Sequence, residues 1–129
     1  MVYFWIGLGS ALGGMARYWC YGLMARLLGE TFPWGTLAVN VLGCSFIGLF
    51  ATLTGPEGRF LVHSSTRMFV MTGVCGGYTT FSTFSLETLN LARAGEWWKA
   101  GGNVSASLFF CLLGVWLGYV LALALNERT

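Results

Sequence analysis

The chain reads as long apolar runs parted by short polar stretches. Two runs, 34 to 53 and 101 to 125, carry no charge and are long enough to cross a ~30 Å hydrocarbon core, which takes about 20 helical residues. A third, 68 to 86, is nearly as long but is interrupted by Gly73, Gly76 and Gly77. The segment Gly76-Gly77-Tyr78-Thr79-Thr80 is poor helix by propensity, so the run reads as a helix broken near its middle. Residues 1 to 28 are apolar except for Arg17 and Arg26. Arg17 lies deep enough to cost about 2.5–3.5 kcal/mol unless it snorkels or finds a partner. The pattern predicts an all-α membrane protein, one transmembrane domain over 1–129, with spans near 1–28, 33–54, 67–92 and 101–125. The opening Met-Val-Tyr-Phe-Trp has neither the basic start nor the small-residue cleavage site of a secretory leader, and no targeting segment is expected.

Short connections account for the rest. Glu30-Thr31-Phe32-Pro33 joins the first two spans, Thr54-Gly55-Pro56-Glu57-Gly58 opens a longer second loop, and residues 93 to 100 form the third. Trp5, Trp34, Trp97 and Trp98 fall near proposed span ends, as an aromatic belt requires. Composition agrees: 56% of residues are apolar and 9% charged, against roughly 25% charged in soluble domains. A net charge of +2, scattered, gives no footprint for nucleic acid, and the composition as a whole excludes most soluble enzymes and DNA-binding modules.

The cations bear on orientation. Arg59, Arg67 and Arg128 lie on the face of the termini and second loop, and Arg26, Arg93 and Lys99 on the other. With three against three, the positive-inside rule selects no orientation, and insertion both ways is expected. The competing reading is a single orientation set by something other than these charges.

Glycines recur at four-residue spacing, Gly9 and Gly13, Gly73 and Gly77, Gly114 and Gly118, which lets helix backbones approach closely in lipid. Four helices packed this closely leave little interior, which places any pathway at a subunit interface, and two opposed copies would supply one. Cys20, Cys44, Cys75 and Cys111 fall one per span without a Cys-x-x-Cys pair and read as small apolar residues. His63 stands alone, there is no Asp, and the five Glu are scattered, so no side-chain metal site or acid/base pair is expected and the chain is not read as an enzyme.

In a bilayer each buried polar group needs a partner or serves a permeant. Asn40 lies centrally in the second span on a face with Thr36, Gly43 and Ile47. It either presents an amide N–H inward or makes an interhelical hydrogen bond of about 0.6 kcal/mol. Asn103, Ser107, Cys111, Gly114 and Gly118 make a small, polar stripe on the fourth span, where Ser107 has a proton to donate. Beyond the break, Phe81 and Phe84 share one face, and Ser82 and Ser85 an adjacent one. Phenyl rings have positive edges, so such rings beside hydroxyl and amide donors suit a small anion; packing is the plainer explanation for aromatics at this spacing.

Three motifs in order then carry a resemblance: Gly13-Gly14-Met15-Ala16-Arg17-Tyr18, Gly35-Thr36-Leu37-Ala38-Val39-Asn40-Val41-Leu42-Gly43, and Gly76 to Ser85. Over essentially its whole length the chain resembles the CrcB/Fluc fluoride channels. The resemblance implies a dual-topology antiparallel homodimer in a bacterial cytoplasmic (inner) membrane, with two fluoride pores lined by both subunits. It implies Asn40 as a donor to fluoride, Phe81 and Phe84 as an aromatic box, and Ser82, Thr83, Thr36 and Ser107 along a polar track. It also implies a structural sodium ion at the dimer centre, held by backbone carbonyls at Gly76 and Thr79, with Arg17 and Glu87 toward aqueous vestibules. Tyr78 receives no role. The implied activity is passive export of cytoplasmic fluoride, which lowers its toxicity. Of the alternatives, a small multidrug exporter needs a membrane-embedded Glu in the first span, where this chain has Arg17, and a noncatalytic assembly partner would not need Asn40 with Phe81 and Phe84.

Overall fold

The computed structural model describes residues 1–128, and these are helical apart from short connections. Helix α1 is Val2–Leu28 and α2 is Trp34–Leu53. Helix α3 covers 64–78 in three consecutive segments: an α-helical turn Ser64–Arg67, a π-helical stretch Met68–Cys75 and a last turn Gly76–Tyr78. Helix α4 is Phe81–Arg93 and α5 is Trp97–Glu127. Of these, α2 and α5 are long and apolar enough to cross a membrane by length and composition alone. The break between α3 and α4 leaves neither piece long enough for that measure, and α1 does not meet it either.

Two boundaries differ from expectation. The fourth span begins at Trp97, so Trp97, Trp98 and Lys99 belong to the first turn of α5 and the third loop shrinks to residues 94–96. There Gly95, at φ 80°, makes the turn that a side chain would strain. The break is also shorter and later than the glycines suggest. Gly76 and Gly77 stay helical, and only Thr79 (φ −87°, ψ 159°) and Thr80 (φ −154°, ψ 119°) are extended. Packing overrides propensity here: a Cβ on Gly77 would lie 2.5 Å from the Ser10 carbonyl oxygen, so glycine lets α3 seat directly on the α1 backbone.

The glycine pairs set the architecture. Gly9 packs against Phe69, Gly73 and Val74, and Gly13 against Val74, Gly77 and Tyr78, with numbering rising together, so α1 and α3 run parallel. Gly114 packs against Val41 and Ser45, and Gly118 against Ser45 and Leu49, so α2 and α5 form a second parallel pair. Gly35 meets the ring of Tyr21 where α1 hands over to α2. The fully buried positions on these seams are small, chiefly glycine, Ala100, Ala122, Cys75 and Val39. Large side chains such as Trp19, Phe109, Leu112 and Trp116 point outward, as lipid-facing residues do.

Arginines tie the ends. Arg67 donates to Thr54 Oγ1 at 2.5 Å and to the Ala51 carbonyl at 3.4 Å, at the C-terminus of α2. The Arg59 guanidinium donates to the Leu125 carbonyl at 3.1 Å, and its backbone N–H to Asn126 Oδ1 at 3.0 Å. Both guanidiniums lie at the negative ends of helix dipoles. Arg17 is half-exposed on α1 with no hydrogen bond or ion pair among the described residues.

Candidate functional site

The site is built at the break. Asn40, projecting from α2, holds Thr80 at both peptide groups: Nδ2 donates to the Thr80 carbonyl at 3.0 Å, and Oδ1 accepts from the Thr80 N–H at 2.8 Å. Thr80 in turn caps α4, its Oγ1 accepting from the Thr83 N–H at 3.2 Å. The Thr80 hydroxyl donates to Thr83 Oγ1 at 3.2 Å and lies 3.3 Å from Ser82 Oγ. Ser82 and Thr83 are therefore gathered on one oxygen.

These bonds release two particular carbonyls. In an unbroken helix the Thr80 N–H would bond the Gly76 carbonyl, and the Thr83 N–H the Thr79 carbonyl. Both donors are diverted, one to Asn40 and the other to the Thr80 side chain. Thr79 is anchored by its own hydroxyl, which donates to the Cys75 carbonyl at 2.9 Å.

Beside the break lies a cavity of about 370 Å³. Asn40, Gly43, Cys44 and Ile47 form its α2 wall; Met71, Cys75, Gly76, Thr79 and Thr80 close a second side. Phe81 and Phe84 of α4, with Ser107, Leu108, Cys111 and Leu112 of α5, complete the wall. None of these residues carries charge. The two rings are 5.4 Å apart between centroids and tilted by 52°, and Phe81 is 75% exposed on the open side of the cavity.

Six residues singled out from the sequence thus meet in one place: Asn40, Gly76, Thr79, Phe81, Phe84 and Ser107. Ser82 and Thr83 flank it through Thr80. Of the two readings of Asn40, the structure shows the hydrogen bond between segments, which uses one amide hydrogen and leaves the second without a partner among the described residues. Thr36 and Glu87 sit apart from this cavity. Thr36 is 2% exposed, Glu87 faces its hydroxyl, and Thr36 Oγ1 and Glu87 Oε1 are buried without a well-formed hydrogen bond among the described residues. Glu87 also lines a second cavity of about 340 Å³ with Glu30, Asn90, Glu96 and Lys99 at the first- and third-loop end of the bundle. Arg17 lines neither cavity.

Sequence reasoning passed over Thr80, whose signal was the Thr-Thr pair before Phe81, and Thr88, which bonds Asn103 across the α4–α5 seam at 2.9 Å. Tyr78, given no role, has its hydroxyl 3.1 Å from Cys20 Sγ and ties α3 to α1. Of the cysteines, Cys44, Cys75 and Cys111 line the main cavity. Among the described residues no group of three His, Cys, Asp or Glu is placed to hold a metal ion. The wall thus combines neutral hydrogen-bonding side chains, two phenyl rings and the backbone of the break.

Comparison with known proteins gives the family. The profile of the family described as CrcB-like protein, Camphor Resistance (CrcB), matches residues 4–119. A "Fluoride-specific ion channel FluC" of Methylocella silvestris is 59% identical over 127 residues, covering 98% of this chain and 97% of that protein. Proteins of the same name from Opitutus terrae and Rhodospirillum rubrum are 61% and 54% identical, covering 98% of this chain and 96% and 98% of their own lengths. With a family match across nearly all of its helices and relatives more than half identical from end to end, the chain belongs to the CrcB-like family of membrane proteins.

Proposed function

We propose that the chain forms a fluoride-selective channel, not an enzyme, that exports cytoplasmic fluoride passively through two pores of an antiparallel homodimer in a bacterial inner membrane. The observation that carries this reading is the uncharged cavity that gathers Asn40, Phe81, Phe84 and Ser107. Fluoride is small and strongly hydrated, so a selective pore must replace water's hydrogen bonds at short range in a space too tight for larger halides. The free Asn40 amide hydrogen and the Phe81 and Phe84 ring edges supply that without a fixed cation that would trap the ion. Relatives named as fluoride-specific channels support the same activity.

The dimer rests on exposure. One side of the cavity is open, rimmed by Phe81 at 75% and Leu112 at 66% exposure. Polar backbone at a break is tolerated in lipid only where protein or a cavity covers it, and a second copy about a two-fold axis would cover it. The same axis would bring together the Gly76 and Thr79 carbonyls of two chains. Their lost helical partners suit a sodium ion, which when bound would supply positive charge between the two breaks. Proton-coupled multidrug export is disfavoured, since α1 carries no Glu.

Liposomes containing only this protein should release fluoride without a proton or sodium gradient and retain chloride; equal chloride efflux overturns the selectivity. For orientation, impermeant tags at Arg128 and Lys99 should each label from both sides of the membrane. Labelling of either from one side only overturns the antiparallel arrangement.

A further inference from the structure

Asn103 is fully buried, at 0% exposure, and each hydrogen around it has a definite direction. The Thr88 hydroxyl has one proton and gives it to the Phe84 carbonyl at 2.8 Å. Its oxygen therefore faces Asn103 as an acceptor, and Asn103 Nδ2 donates to it at 2.9 Å. That turns Asn103 Oδ1 toward Ser107, whose hydroxyl donates across 3.5 Å, the long limit of a hydrogen bond. Ser107 lines the main cavity, whereas Asn103 and Thr88 do not. At rest, then, Ser107 turns its only proton away from the cavity and presents lone pairs, which repel an anion.

We propose that Asn103 is a positioning residue that holds the Ser107 proton in reserve and so sets how tightly the pathway holds fluoride. This rests on the reading above that Ser107 faces the permeating ion. An arriving fluoride draws the proton across by rotation of the hydroxyl, and the Asn103 oxygen takes it back as the ion leaves. A conducting site must bind strongly enough to admit an ion and weakly enough to release it, and a long, neutral competing bond serves the second need. The relay also ties this hydroxyl to the Phe84 backbone through Thr88, so one network spans the ring and the donor.

The test is the fluoride concentration dependence of flux in liposomes for the wild type, N103L, T88V, S107A, N103L/S107A and T88V/S107A. Leucine is close to asparagine in shape and leaves the Thr88 proton on the Phe84 carbonyl. With Ser107 free to face the ion, N103L should lower the half-saturating fluoride concentration about fivefold, the size of one net hydrogen bond, and also lower the maximal flux. T88V leaves the fold of α5 untouched and frees the Asn103 amide to turn, so it should shift the same constant in the same direction by less. Neither shift should survive in the S107A background, a pattern that loss of packing alone would not give. A shift that persists without Ser107, or unshifted N103L and T88V in a conducting protein, overturns the inference alone. A wild type that passes no fluoride overturns the channel reading and this inference with it.

Discussion

Replacing Asn40 by alanine should lower fluoride flux about hundredfold and loosen the break. The mutation strips both partners from the Thr80 peptide, which is buried at 9% exposure. Each polar group left unpaired costs about 1–3 kcal/mol, and about 1.4 kcal/mol is a factor of ten, so two such groups release the restraint by roughly two orders of magnitude. The freed Thr80 N–H would turn back to the Gly76 carbonyl and draw the break toward continuous helix. Asn40→Asp separates the two bonds: a carboxylate still accepts from the Thr80 N–H but has nothing to donate to the carbonyl. Flux in both variants, with hydrogen exchange at Thr79 and Thr80, is the measurement. Wild-type flux from the alanine variant, with exchange unchanged, would show that the clamp has no part in conduction.

Phe81→Ile and Phe84→Ile should each reduce fluoride flux by about ten- to hundredfold, because a contact to a charged group contributes about 1.5–3 kcal/mol and isoleucine has no positive ring edge. The chain itself should fold in both cases. Phe81 is largely exposed and Phe84 half-buried, and neither side chain makes a hydrogen bond whose loss would unfold α4. Efflux from liposomes, beside gel filtration to check assembly, separates the two effects. Full conduction by both variants would take the rings out of the mechanism and return them to packing.

Much of this was legible in the chain because membrane helices are written in local patterns. Length and apolarity give α2 and α5 directly, and glycine at four-residue spacing marks the seams where α3 meets α1 and α5 meets α2. The centre of the break was misread for a physical reason. Gly76 and Gly77 are each about 1 kcal/mol worse than alanine in a helix, but close seating of Gly77 on Ser10 holds the turn, and the side chain of Asn40 decides where the helix stops. That bond joins positions forty apart in sequence, beyond the reach of any propensity. The π-helical stretch Met68–Cys75, which lies along the α1 seam, left no mark in the residue pattern either. Asn103 was visible as a polar residue on a stripe, but the direction of its hydrogen bonds follows only from Thr88 and Phe84 on another helix.

The two parallel pairs have a consequence for how the chain is made. Gly9 and Gly13 of α1 find their seats on α3, and the seam of α2 closes only on Gly114 and Gly118 of α5. Each main seam skips its neighbour in sequence, so the bundle is interleaved and does not build up from successive hairpins. A nascent chain that has threaded α1 and α2 still has both glycine faces waiting, and the last seam forms only after α5 has emerged from the ribosome. Closure of the bundle therefore waits for its last helix, whatever contacts α1 and α3 have already made.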